Sequence, residues 1–163
     1  MSHRYLLISL VLVATVIAGC QRSKKAAKKF NDYNDKATVL MTQMQNELIA
    51  YEKWMRQYSK EDHSSYKAEI KNRIAKMRKI LKDLNAIEVA DKEIEDFRGI
   101  QRKAVEKMIQ IFNLHRSMLN SGAPPFATDE VKKLFGEYRA LITDFQQKRD
   151  KFKKKYRLKD RRN

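Results

Sequence analysis

The chain of 163 residues has one cysteine, two prolines, four glycines and three histidines. A single cysteine excludes an internal disulfide framework, a CxxC redox pair, a cysteine-rich zinc site and a CxxCH haem attachment, so stability must come from an apolar core. Sheets, sandwiches and barrels need turn residues at short intervals, and so few glycines and prolines cannot supply them. Lys, Glu, Leu, Ile, Met and Gln are plentiful instead, and 36 Lys and Arg against 20 Asp and Glu give a formal net charge of +16. The length suits one domain, and the composition predicts an all-α one.

The first twenty residues read as targeting rather than fold. A short polar start with Arg4 is followed by an apolar run from Tyr5 to Ile17 and then by Ala18-Gly19-Cys20. The run is short for a transmembrane span and ends in small residues rather than a stop-transfer pattern, which predicts a signal peptide over residues 1–19. Ile17-Ala18-Gly19-Cys20 resembles the lipobox of bacterial lipoproteins. That resemblance implies cleavage before Cys20, diacylation of its sulfur and acylation of the new amine, with the chain held in the cell envelope facing the periplasm or the exterior. Gln21 in place of Asp resembles the outer-membrane sorting pattern of cells with two membranes. Two or three acyl chains anchor stably where one binds only reversibly.

Behind Cys20, residues 20–29 read as a short basic tether and residues 30–158 as a helical bundle. Apolar residues at Phe30, Tyr33, Ala37, Leu40, Met44, Tyr51, Trp54 and Tyr58 step by three and four, with Glu47 taking one seam position. A repeat of 3.5 is helical and cannot arise in a sheet. A polar stretch from Ser59 to Ser65 separates this first helix from a second, with its seam at Ile70, Ile74, Met77, Leu81 and Leu84. After an interruption near Asn85 to Asp91, a third seam runs through Ile94, Phe97, Gln101, Ala104, Met108, Ile111, His115 and Met118 and stops at Asn120 to Pro125. Thr128 is placed to cap a fourth helix, with Asp129 and Glu130 at its positive end and a seam at Val131, Leu134, Tyr138, Leu141, Phe145 and Phe152, largely complete by Phe145. Short links between long amphipathic helices predict an antiparallel up-down-up-down four-helix bundle, with a three-helix core and a lone projecting helix as the rival.

Basic charge gathers at the two ends of the mature chain. Arg22, Lys24, Lys25, Lys28 and Lys29 precede the first seam without an acid among them. Lys148, Arg149, Lys151, Lys153, Lys154, Lys155, Arg157, Lys159, Arg161 and Arg162 close the chain against Asp150 and Asp160, and residues 159–163 form a basic tail. In an up-down-up-down bundle these segments share a pole with the anchor. The expectation is a basic collar around the acyl chains, with anionic lipid headgroups or envelope polyanions as partners and another envelope protein bound to the bundle. The acids Glu88, Asp91, Glu93, Glu95 and Asp96 face the same pole and offer an internal alternative. A lipidated, exported chain meets little nucleic acid, so that partner is not expected despite the charge.

Chemistry is sparse. His3 falls in the leader, His63 in a polar link, and only His115 on a seam. No Glu-x-x-His pair of the di-iron type is present, nor a Gly-rich phosphate loop or a Ser-His-Asp arrangement. The reading is a non-enzymatic protein without metal or cofactor. Its alternatives are a wall- or polyanion-binding lipoprotein and a haem- or small-ligand-binding bundle around His115. Glu47 and Gln101, polar at seam positions, are candidates for a buried hydrogen bond between the first and third helices.

Overall fold

The computed structural model describes residues 3–57, 63–123 and 128–158, with side chains described for 24–57, 64–123 and 128–158. These residues form an all-α fold of four helices: α1 (His3–Met55), α2 (His63–Asn85), α3 (Lys92–Asn120) and α4 (Asp129–Tyr156). The leader's side chains, Tyr58, most of the Ser59 to Ser65 link and Pro124-Pro125 lie outside the described residues.

Local chemistry sets the helix ends. The Asp91 side chain accepts the Glu93 backbone N–H at 3.0 Å and starts α3, with Glu93 and Glu95 in its first turn. At its far end Gly122 takes φ 77°, and the Ala123 N–H returns to the Met118 carbonyl at 2.9 Å, a left-handed cap that satisfies an orphan carbonyl. Thr128 Oγ1 accepts the Val131 N–H at 3.3 Å and starts α4, as its position predicts. That helix ends on Arg157, which adopts φ 55° without being a glycine.

The seams meet in one core. Trp54 of α1 stacks on Tyr66 of α2 with ring centroids 4.0 Å apart, and Glu47 of α1 holds Arg73 of α2 at 3.1 Å. Phe30 of α1 lies edge-on to Phe97 of α3 at 5.9 Å, while further along the same pair of helices Tyr51 lies against Phe112 at 4.7 Å. Between α3 and α4, Phe97 meets Phe152 at 5.4 Å, and Lys107 pairs with Glu137 at 2.6 Å. Residue numbers run in opposite senses across α1/α2 and α3/α4 and in the same sense across α1/α3, which is consistent with the up-down-up-down order.

Burial departs from the seams in instructive ways. The face of α3 is wider than a seam: Ile100, Val105 and Phe112 are buried beside the expected positions, because this helix packs against all three others. Met118 is half-buried, and Leu119 takes its place in the core. Leu40 and Leu81, expected inside, are half-buried, while Ile80 and Leu84 are buried. On α4 only Val131 and Phe152 are buried; Leu134, Tyr138, Leu141 and Phe145 are half-buried. Phe152 is thus a core residue as its seam position predicts, and the core contact of α4 is not largely complete by Phe145. Residues 20–29, read as a tether, are helical and continuous with the rest of α1, and Ala26 packs against the core.

Candidate functional site: the basic pole

The pole is built around three phenylalanines. Phe30, near the start of the described side chains of α1, stacks on Phe152 in the last turns of α4 at 5.1 Å, and both lie against Phe97 near the start of α3. All three are at most 5 % exposed. Aromatic pairs of this kind contribute about 0.5–1.5 kcal/mol each beyond the area they bury. The cluster brings the two basic segments together, because Lys24 to Lys29 flank Phe30 and Lys148 to Arg157 flank Phe152.

Several of these cations are engaged within the protein. Lys29 pairs with Asp91 at 3.3 Å, so the residue that caps α3 also holds α1. Lys155 reaches Glu93 at 2.6 Å, and the Tyr156 hydroxyl donates to the same carboxylate at 2.8 Å. The hydrogen bond from Lys155 holds the Glu93 carboxyl below its usual range, and the bond to Glu93 raises the Lys155 ammonium above its own. Lys148 pairs with Asp144 one turn back at 3.0 Å. Arg149 lies 3.6 Å from Asp150, with its guanidinium over the Phe145 ring. The acids of the α2–α3 turn thus do part of what the sequence allowed: Asp91 and Glu93 tie both basic segments to α3. Glu95 turns to Arg98 at 2.5 Å instead, and Glu88 and Asp96 are exposed.

The rest of the pole faces water. Lys24, Lys25 and Lys28 on α1 and Lys151, Lys154 and Arg157 on α4 are exposed, while Lys153 is half-buried. The side chains of Cys20 and Arg22, and Lys159, Arg161 and Arg162 altogether, lie outside the described residues. The Cys20 backbone belongs to α1, ten residues before Phe30, which at 1.5 Å per residue is roughly 15 Å along the helix. A cleft of 470 Å³ opens at this pole between α1 and the α2–α3 turn. Its rim mixes Lys29 and Lys36 with Asp32, Glu88 and Asp91, so it carries no dominant charge.

The polar seam residues have other duties. Gln101 accepts a hydrogen bond from Tyr33, and Glu47 pairs with Arg73 and with Lys76 of α2, so the expected Glu47–Gln101 bond is replaced by two separate contacts. Arg73, which no seam spacing signalled, is 6 % exposed and is shared between Glu47 and Glu69. His115 is 4 % exposed and hydrogen-bonded through Nδ1 to Tyr51, the two rings stacked at 5.5 Å. Its Nε2 is buried with no partner among the described residues, and burial lowers its pKa to about 4. The imidazole is a neutral core group.

The chain belongs to a lipoprotein family, that described as "Uncharacterised lipoprotein PM1805", whose model matches residues 24–157. No curated protein and no solved structure matches it. Membership in a lipoprotein family implies membrane anchoring in the envelope, and among the described residues no helix is long and apolar enough to cross a membrane.

Proposed function

We propose that this protein is a non-enzymatic envelope lipoprotein, anchored by acyl chains on Cys20, whose antiparallel up-down-up-down bundle serves as a structural or adaptor module for another envelope protein. Its basic pole grips anionic headgroups around the anchor. The observation that carries this reading is the stacking of Phe30 on Phe152, which sets the basic segments of α1 and α4 side by side at the pole from which α1 leads back to Cys20. Each Lys or Arg near an anionic bilayer surface adds about 1 kcal/mol of attraction, falling off over a Debye length of about 8 Å. Six exposed cations at the pole, Lys24, Lys25 and Lys28 on α1 and Lys151, Lys154 and Arg157 at the end of α4, therefore amount to a useful second hold beside the acyl chains.

The test uses chain beginning at residue 21, without acyl groups, and vesicles containing anionic lipid. Lys151→Glu, Lys154→Glu and Arg157→Glu together reverse exposed charges and leave Phe152 and the Lys155–Glu93 pair in place. Binding should be weak, salt-sensitive and largely lost in the triple variant, with helical content unchanged. Undiminished binding by the triple variant would refute the headgroup reading, and sedimentation with wall polymer would then be the measurement to make.

A further inference from the structure

We infer that the outer face of α1 is a pairing surface for a second copy of this chain, with the two α1 helices running antiparallel. α1 carries two seams. One faces the core through Phe30, Tyr33, Ala37, Met44 and Tyr51. On the opposite side Val39, Thr42, Asn46 and Ile49 repeat the same step of three and four, and all four are exposed. Val39 and Ile49 are each 57 % exposed and are the large hydrophobic side chains most open to water among the described residues.

Charge marks this face as well. Charged residues make up 34 % of the chain, yet from Ala37 to Ala50 there is one, Glu47, and it is turned to Arg73 and Lys76 of α2. Depletion of charge is the compositional mark of an interface centre. A formal +16 makes copies repel over most of their surfaces, so an uncharged face is where two of them can approach.

The ends of the seam decide the direction. Continued downward it reaches Asp35 and Asp32; continued upward it reaches Lys53 and Arg56, all exposed. The pattern is self-complementary about the level of Met44. With two α1 helices antiparallel and centred there, Val39 lies opposite Ile49 of the other copy and Thr42 opposite Asn46. Asp35 then faces Lys53, and Asp32 faces Arg56. Every position finds an apolar, a hydrogen-bonding or an oppositely charged partner, and the two-fold operation repeats each pair. A parallel pairing sets Asp35 against Asp35 and Lys53 against Lys53. The polar Thr42–Asn46 layer at the centre fixes the register, as a single polar layer does in coiled coils. From Asp32 to Arg56 the contact runs roughly 36 Å at 1.5 Å per residue, a narrow strip that belongs to the small, weak class of interfaces.

The pairing itself does not rest on the function proposed above; one consequence does. If Cys20 is the anchor, antiparallel α1 helices carry their anchors at opposite ends, so a dimer joins two facing membrane surfaces rather than two points on one.

Disulfide trapping tests the pairing without reference to lipid. Full chains carrying Val39→Cys or Ile49→Cys, purified in mild detergent, are oxidised separately and as an equal mixture, with the unaltered chain reporting any background from Cys20. Opposed Cβ atoms favour the bond, so the mixture should yield linked dimer well above either variant alone. Predominant linkage within the Val39→Cys sample, or no product above background in any sample, would overturn the proposal. As a second readout, Asp35→Lys and Lys53→Asp should each weaken dimerisation in sedimentation equilibrium by roughly tenfold, since each symmetric dimer loses two pairs. Combining them should restore it. A double variant no better than the single ones overturns the antiparallel arrangement, provided circular dichroism shows all three folded.

Discussion

Taking the protein from pH 7.5 to 4.5 brings the solution past the ordinary titration range of histidine, and His115 does not follow. Its ring is buried, its Nδ1 is engaged with Tyr51, and its Nε2 has no acceptor to receive a second N–H among the described residues. The nearby Arg73 guanidinium, 5.8 Å from the centre of the Tyr51 ring, is a further charge on that side, held by Glu47 and Glu69. Burial lowers the folded pKa from 6.5 to about 4. Above pH 6.5 both states are neutral at this residue. Between 6.5 and 4 the unfolded chain binds a proton that the folded chain refuses, so stability falls as the pH falls and the loss is complete below 4. At 1.36 kcal/mol per unit, the part lost by pH 4.5 is roughly 2 to 3 kcal/mol, a large share of a small domain's stability. Urea unfolding at the two pH values, followed by circular dichroism, should show that share in the unaltered protein and its absence in His115→Gln. The carboxylates, Glu93 included, titrate in both proteins and cancel in the comparison. Equal pH dependence in the two proteins, or an imidazole that titrates near 6.5 by NMR in the folded state, would refute the reasoning.

Two further outcomes bear on the anchor and on the core. Cys20→Ser should abolish labelling by a radioactive fatty acid and leave unprocessed precursor, and normal labelling would end the assignment of Cys20. Leu84→Ala, at 0 % exposure, should cost about 2–5 kcal/mol in urea unfolding, and Leu40→Ala clearly less, because half-buried Leu40 already meets water; equal costs would show that the burial pattern of α1 is wrong.

Helix existence was legible because each helix carries a long 3.5 repeat and the turn chemistry agrees with it at Thr128, Gly122 and Asp91. Which side chains are buried was only partly legible, since spacing reports the centre of an apolar face and not its width. The breadth of α3, with Ile100, Val105 and Phe112 inside, follows from contact with three neighbours, a property of the assembly that no single helix encodes. The same limit explains α4, whose seam looks as strong as that of α3 and yet buries only Val131 and Phe152 because it rests mainly on one neighbour. At the pole, the sequence placed the cations at one end and the acids opposite them, but the choice among acids is a matter of register. Asp91 and Glu93 sit where the Lys29 turn of α1 and the last turn of α4 arrive, whereas Glu88, three residues past the end of α2, does not. That choice shapes the site: by absorbing Lys29 and Lys155, two carboxylates lock the basic segments against the bundle and leave the neighbouring lysines pointing outward from a rigid base. A flexible tail carrying the same charge would lose entropy on reaching a membrane. Cations fixed on helices locked by Phe30, Phe97 and Phe152 have already met that cost in folding.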